Sequence, residues 1–290
     1  MNDGALIDLH THTTASDGRA SPEELVARAA RAGVAVLAVT DHDTVAGCAA
    51  AAAACDAKGL TFVPGIEITA ISEGADVHVL GYFIDRAAAR LQRFLAEERR
   101  RRIERLRLII DRLAQHGVVL DADAILQPAL DDASRAAGRP WIARALVATG
   151  CVATTREAFD RWLARGRPAF VPRTGAAPRE VFTRIHEAGG VASLAHPGLI
   201  RHDDWIDGFA ADGLDAVEAY HIEHDDETTR RYLTIAARLD LAVSGGSDYH
   251  ADDMHGGAGP GSVSLPRADY ERLVLRATMR ASASGAETSS

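Results

Sequence analysis

Val34-Ala35-Val36-Leu37-Ala38-Val39-Thr40-Asp41-His42 is a nearly unbroken apolar run that ends on a carboxylate and an imidazole. A run without polar alternation predicts a strand covered on both faces, as in a parallel sheet flanked by helices. The residues before it predict a helix, with Ser21 as cap, Pro22 at the first helical position, Glu24 three residues after the cap and Gly33 as the stop. After it comes an Ala-rich helix over 44–58, ended by Gly59. Further out, residues 5–9, 60–69 and 77–84 read as strands. Repeated units of this kind imply an α/β chain with a mostly parallel sheet or barrel.

The pattern changes near Asp85. Residues 86–116 predict a long charged helix containing Glu97-Glu98-Arg99-Arg100-Arg101-Arg102, with Leu91, Leu95, Ile103, Leu106, Ile110 and Leu113 as one apolar stripe. Helices are expected around 141–148 and 156–164. Alternation then resumes, with a helix over 178–188, a strand over 191–195 that closes on His196, a strand over 214–220, a helix over 226–239, and a strand over 241–244 leading into Ser247-Asp248-Tyr249-His250. The expected organisation is a barrel from 1–85 and 176–276, a helical insertion over 86–175, and a disordered tail over 277–290.

Bulk properties narrow the partners. The chain has 290 residues, 47% of them hydrophobic, and a net charge of −9. That acidity argues against a protein that coats long duplex nucleic acid by charge. It leaves room for a small anionic substrate, because bound cations supply local positive charge. Cys48, Cys55 and Cys151 form no CxxC pair and cannot complete a set of intrachain disulfides. Cys48 and Cys55 read as core residues, and the expected setting is reducing and cytoplasmic. Residues 1–8 lack the basic start and apolar run of a signal peptide, and no stretch offers the roughly twenty apolar residues of a membrane span.

The expected strand ends carry His10-Thr11-His12, Asp41-His42, Glu67, His78, His196, Glu218, Asp248 and His250, with His221 at the margin of the set. Residues two apart in an extended segment point the same way, so His10 and His12 can reach one ion, as can Asp248 and His250. Imidazole and carboxylate suit zinc, manganese and iron, and the lack of cysteine points away from a structural zinc knuckle. One His-x-His pair is easily a satisfied core pair. The same chemistry on successive strand ends is not explained that way.

Leu9-His10-Thr11-His12, Asp17-Gly18, Thr40-Asp41-His42-Asp43, Gly65-Ile66-Glu67, His78, Ala195-His196-Pro197 and Ser247-Asp248-Tyr249-His250 resemble the motifs of the PHP (polymerase and histidinol phosphatase) family. The insertion between His78 and His196 resembles that of small bacterial members that dephosphorylate nucleoside 3′,5′-bisphosphates or trim short RNA from its 5′ end. The resemblance implies a distorted (β/α)7 barrel and two or three divalent ions (Mn, Fe or Zn). It implies one ion held by His10, His12, Glu67 and Asp248, and a second that shares Glu67 and takes His78 and His196. A third would take Asp17, His42 and His250, with Asp17 standing where many members have His. Asp41 would orient a ligand histidine.

The chemistry expected from this resemblance is hydrolysis of a nucleotide phosphate monoester by a metal-bound hydroxide, with His42 or His196 beside the leaving group. A second phosphate needs fixed cations. Arg135, Arg139 and Arg173, near the Gly138-Arg139-Pro140 and Gly166-Arg167-Pro168 steps, offer guanidinium forks, and Arg201 and His224 are further pocket candidates. Trp141 reads as core, and the arginines at 99–102 as a solvated helix face rather than an RNA track. Two alternatives stay open: a histidinol-phosphate-type or other small-molecule phosphatase, and a non-catalytic metal-binding module. The expected partner is a small phosphate substrate, a nucleotide or short oligoribonucleotide, with no long duplex and no membrane.

Overall fold

Ser21 and Glu24 close the reciprocal cap that their spacing predicts, and Gly33 ends the helix at φ 85°. From such local signals the computed structural model, which describes residues 5–251 and 258–287, builds its elements in order. They are β1 (Leu6–Asp8), α1 (Pro22–Ala32), β2 (Val34–Val39), α2 (Cys48–Lys58), β3 (Thr61–Ser72) and β4 (Ala75–Tyr82). A helical layer follows with α3 (Ala89–Gln115), α4 (Ala122–Asp131), α5 (Arg139–Ala148), α6 (Thr155–Ala158) and a π-helical turn over Phe159–Leu163. The chain returns through α7 (Pro178–Glu187), β5 (Val191–Leu194), α8 (Pro197–Ile200), α9 (Trp205–Ala211), β6 (Ala216–His221), α10 (Asp226–Arg238), β7 (Ala242–Gly246) and α11 (Arg267–Glu287).

The seven strands lie side by side in chain order. The sheet almost closes, since Leu9 N–H donates to the Gly245 carbonyl (3.2 Å) and Thr11 bridges Tyr249 in parallel. The result is a distorted seven-stranded α/β barrel. β1–β2–β3 and β5–β6–β7 are parallel, whereas β4 runs against both neighbours. The reversal is made by the two-residue turn Glu73-Gly74, both residues at positive φ, the usual geometry for a tight hairpin. The other pairings are parallel, so the sheet is mostly parallel as the βα rhythm predicts, with β4 the one reversed strand among the described residues. The effect of the reversal is to bring the first half of β4, including His78, to the barrel end where the parallel strands finish.

Apolar side chains from every strand fill the barrel, among them Ile7, Val36, Ile68, Leu80, Leu194 and Val217. The helical layer has its own core, built on Leu106, Ile109, Leu113, Ile142, Leu146 and Leu163. Cys48 and Cys55 are buried, as expected. Several expectations need correction. α2 begins at Cys48 rather than at 44, α4 was not anticipated, and the helix expected over 156–164 breaks into α6 and the π turn. α11 carries on to Glu287 where a disordered tail was expected from 277, and Ala277 is buried in the barrel core; residues 288–290 lie outside the described residues. No helix among the described residues is long and apolar enough to cross a membrane.

The largest correction concerns the run at 99–102. Arg100 is solvated, paired with Glu97 and Glu104. Arg99 and Arg102 are buried. Arg99 donates to the carbonyls of Ala133 (2.7 Å) and Asp43 (3.0 Å), and Arg102 pairs with the buried Asp43 carboxylate and donates to the Thr69 hydroxyl (3.3 Å). The reason is helical phase. Leu91, Leu95, Glu98, Arg102, Arg105, Ile109 and Leu113 share one buried face of α3, apolar at both ends and charged in the middle. The charged section crosses the barrel mouth, where polar partners wait for it.

Removing one partner of a buried ion pair strands the other. Asp43→Ala is therefore expected to lower unfolding free energy by about 3–5 kcal/mol, read as a fall in the urea midpoint. An unchanged midpoint would show that Arg102 is compensated elsewhere.

Candidate active site and metal centre

β3, β4 and β6 carry their polar residues within the strand, whereas β1, β2, β5 and β7 present theirs beginning two or three residues past the strand's end. His10 and His12 leave β1 with the chain pinned between them, Thr11 Oγ1 donating to the Ala38 carbonyl (2.6 Å) and His12 N–H to that of Tyr249 (2.9 Å). His42 follows β2 and bridges Glu67 of β3, His78 lies on β4, His196 follows β5, and Glu218 and His221 lie on β6. Asp248 and His250 come just after β7. His196 (φ 27°) and Asp248 (φ 51°) both sit in a left-handed backbone conformation that non-glycine residues avoid, a strain that surrounding structure must hold.

Glu67 is the hub. Its Oε1 lies 2.7 Å from His78 Nδ1 and 3.1 Å from His196 Nε2. Its Oε2 lies 3.4 Å from His10 Nε2, 3.2 Å from His12 Nε2 and 3.1 Å from His42 Nδ1. Asp248 Oδ1 lies 3.2 Å from Nε2 of both His10 and His12. Asp17 faces His42 Nε2 (3.6 Å) and His250 Nε2 (3.4 Å). Two ligands about 2.1 Å from one ion, at tetrahedral or octahedral angles, stand about 3.0–3.4 Å apart, and most of these gaps match. Both ring nitrogens of His12, and Nδ1 of His42 and His78, are buried and face carboxylate oxygens without the alignment of a hydrogen bond. Buried polar atoms left so are costly unless a further group meets them. The donor set fits divalent cations.

Four overlapping groups bring their ligand atoms within 4.8 Å of one another: His10/His12/Glu67, His42/Glu67/His78, His12/Asp17/His42/His250 and His10/His221/Asp248. Two features go beyond the sequence reading. His12 turns its second nitrogen toward Asp17 (3.8 Å), and His221 Nε2 reaches Asp248 Oδ2 (3.4 Å). The sign that could have promoted His221 is its place three residues after Glu218, as β6 ends. Glu218 itself had no assigned role. It lies 2.9 Å from His10 Nδ1 and accepts from His196 N–H (2.7 Å), so it aims His10 Nε2 at the centre. Asp41 was expected to orient a histidine. Instead it accepts from Thr13 N–H (2.7 Å), the Thr13 hydroxyl (2.6 Å) and the Ser16 hydroxyl (2.6 Å), and so fixes the loop that carries Asp17.

The electrostatics favour bound positive charge. Burial alone would lower the His10 pKa, but Glu218, Asp248 and Glu67 raise it well above its usual value. His12 behaves alike: burial opposes its charge, and Asp248 and Glu67 carry it to about 10. Burial disfavours the Glu67 charge too, yet His42, His78 and His10 hold its carboxyl well below the usual range. Burial wins at His42, which stays neutral with one ring nitrogen's lone pair to offer. A field that holds protons on buried imidazoles equally favours cations in their place.

A cleft of about 230 Å³ lies between this cluster and the helical layer. Arg139 and Arg173 line it, as does Arg102, which the sequence reading had left in solvent. Arg173 lies 3.8 Å from Asp43 and 3.6 Å from Asp76; Arg139 sits over the Phe159 ring. Three other candidates stand elsewhere. Arg135 donates to the Thr14 carbonyl (2.6 Å) and covers Trp141, whose own Nε1–H donates to the Ser16 carbonyl (3.1 Å). Both brace the Asp17 loop, and Trp141 is buried as expected. Arg201 is exposed, on a patch with Asp203, Asp204 and Arg231. His224 Nε2 accepts from Gly198 N–H (3.2 Å) and its Nδ1 lies 3.0 Å from the Ala219 carbonyl, steadying α8 just past His196.

Because Glu218 acts through the orientation of His10, Glu218→Gln is expected to weaken metal affinity about 10–100-fold with the fold retained. Titration of chelator-stripped protein with Mn²⁺ or Zn²⁺, followed by the metal-dependent rise in Tm, measures this without turnover. Parental affinity in the variant would remove Glu218 from that role.

Residues 8–124 match the PHP domain family. The chain is 37% identical over 258 residues to the 5′-3′ exoribonuclease Rnm of Salmonella typhimurium, covering 86% of each. It is 35% identical over 254 residues to the 3′,5′-nucleoside bisphosphate phosphatase of Chromobacterium violaceum, covering 85% of this chain and 88% of that one. A solved structure from Bifidobacterium adolescentis, described as that of a metal-dependent phosphoesterase, superposes with a TM-score of 0.86 at 33% identity over 94% of this chain and 96% of that one. With histidines and carboxylates gathered at the mouth of a seven-stranded barrel, and with relatives of this kind along most of its length, the chain belongs to the PHP family and is a metal-dependent phosphoric ester hydrolase.

Proposed function

We propose that this enzyme removes a phosphate from a nucleotide that carries more than one: a nucleoside 3′,5′-bisphosphate or the 5′ end of a short RNA. The observation that carries the reading is the sharing of one cleft by the His/carboxylate cluster and three arginines, Arg102, Arg139 and Arg173. One end suits a reacting phosphate and the other a phosphate that only needs to be held. The names of the exoribonuclease and bisphosphate phosphatase relatives support it. In this reading residues 86–175 are a recognition insertion in a barrel formed by 1–85 and 176–276. The three free cysteines suit a reducing cytoplasm.

His10, His12, Glu67 and Asp248 would hold one ion; Glu67, His78 and His196 a second; Asp17, His42 and His250 a third, with His12 in reach. Divalent ions held there, with Mn²⁺ the first to test beside Fe²⁺ and Zn²⁺, would offset phosphoryl charge and lower the pKa of water so that hydroxide is available near neutral pH. The residues do the rest. Arg139 and Arg173 fix the unreactive phosphate and thereby the direction of the scissile bond. Arg102, locked by Asp43, adds charge without freedom to move. His42 turns one nitrogen to Glu67 and the other to Asp17. His196 turns only Nε2 to Glu67, and its Nδ1 has no partner. Of the two, His196 is the better holder of a proton for the departing oxygen.

A kinetic screen of Mn²⁺-loaded enzyme over nucleotides with 2′-, 3′- and 5′-phosphates, with histidinol phosphate and an aryl phosphate alongside, tests the reading. Bisphosphate or 5′-phosphorylated RNA should lead by a wide margin, and preference for histidinol phosphate would replace the reading with the small-molecule one. Asp248→Ala and His12→Ala should abolish turnover with circular dichroism unchanged. Arg139→Ala should lower kcat/KM for the bisphosphate about 10–100-fold, the loss of one charge-assisted contact of about 1.5–3 kcal/mol, and leave the aryl phosphate nearly unaffected.

A further inference from the structure

Outside the catalytic cleft, on the far side of Arg102 and Arg173, a second groove of about 350 Å³ runs along α3. Both arginines line the two hollows, so one wall serves both. The groove adds Arg101, Arg105 and Arg112 from α3 and is closed by the segment at 171–174. Two carboxylates, Glu98 and Glu104, line it with the five arginines; Arg101 meets Glu98 (2.9 Å) and Glu97 (3.2 Å), Arg102 meets Asp43 and Arg173 meets Asp76 (3.6 Å), which leaves Arg105 and Arg112 without a carboxylate partner among the described residues. Glu104 is already paired with Arg100, and burial pushes the Glu98 carboxyl up to about 7. Arg105 is 7% exposed; its Nε donates to the Val171 carbonyl (2.9 Å), while its Nη2 is buried with no partner. Burial, then the nearness of Arg173 and Arg139, pulls its pKa down to about 9. A buried guanidinium crowded by others of its kind is short of an anion.

Apolar surface accompanies the charge. Leu108, 53% exposed, lies between these arginines in the groove, and Pro172 lines it too. Arg101 and Arg112 are eleven residues apart, about 16 Å along the helix axis. A line of guanidinium groups of that length, with an apolar floor, suits consecutive phosphates of a single strand whose bases lie on the apolar surface.

We propose that this groove binds the phosphodiester backbone of an oligoribonucleotide beyond its reacting end, so that the enzyme holds short RNA more tightly than a mononucleotide. The inference rests on the nucleotide reading of the cleft and extends it. Arg102 and Arg173 stand where the ligand passes from one hollow to the other. Arg101, Arg105 and Arg112 take the phosphates that follow.

The test uses the full chain and two probes, a 5′-phosphorylated pentanucleotide RNA and adenosine 3′,5′-bisphosphate. In the double variant Arg101→Ala/Arg112→Ala, kcat/KM for the pentanucleotide is expected to fall about tenfold, about threefold for each of two solvent-screened contacts and chiefly through KM, and the bisphosphate should be unaffected. The slope of log affinity against log salt for the pentanucleotide should shrink by about 1.4, the share of two phosphate contacts on a single strand. Leu108→Glu retains every arginine, adds an anion at an exposed position, and should reproduce the selective loss if the double variant folds poorly. Equal losses on both probes, or no loss on either, would overturn the groove. A second arm needs no turnover: fluorescence anisotropy of the labelled pentanucleotide with chelator-treated protein, against a dinucleotide and inorganic phosphate as competitors. Pentanucleotide binding no tighter than dinucleotide binding, or its ready displacement by inorganic phosphate, would also sink the proposal. Length-dependent binding without hydrolysis of either probe would uphold the groove and refute the proposed substrate of the cleft.

Discussion

A carboxylate at 1% exposure, ringed by the imidazoles of His10, His12, His42, His78 and His196, sets the terms for this molecule. An ionised Glu67 in a barrel mouth is tolerable only if positive charge or strong donors meet it on every side. Its partners come from β1, β2, β4 and β5 and the turns that follow them, so the barrel must close before the charge is compensated. Folding and site assembly are one event here. The strained backbones of His196 and Asp248 are held by that closure, with Glu218 fastening the first.

The helical layer answers the same constraint from above. A purely apolar helix across the mouth would have left the Asp43 carboxylate only the Thr69 N–H (3.2 Å) and the more distant Arg173 (3.8 Å). α3 instead changes character halfway along a single face, so that Arg102 meets Asp43 and Thr69 while the leucines and isoleucines at either end pack normally. The charge that seals the mouth also lines the cleft. Stability and recognition draw on the same side chain, and so the two cannot be altered independently at Arg102.

What could be read from the sequence follows from the physics of each signal. Apolar runs that end in His or Asp gave strands and candidate ligands together, because parallel strands bury both faces and expose their carboxyl ends. The cap at Ser21 and the stop at Gly33 are local and were legible. The reversal of β4 was not, since Glu73-Gly74 is a short signal inside what reads as two ordinary strands. Four arginines in a row look solvated until helical phase is set against the barrel, and only the tertiary arrangement says that Arg99 and Arg102 face inward. Arg135, Arg201 and His224 have the chemistry of pocket residues, but their partners, Thr14, the exposed surface and Gly198, are invisible in one dimension. Glu218 and His221 belong to a network whose members lie far apart along the chain.

The antiparallel course of β4 has one more effect. It leaves the chain at the end of the barrel away from the cluster, so the helix that follows must climb back before it can contribute anything at the mouth. α3 has 27 residues, about 40 Å of helix, and it arrives there with Arg102 in register to meet Asp43. It works as a ruler. Substitutions along its outer face leave the measurement alone, whereas one residue more or fewer ahead of Arg102 would turn the guanidinium by about 100° and shift it by about 1.5 Å. In this fold, then, the count of residues between Ala89 and Arg102, within α3, is under tighter constraint than most of their identities.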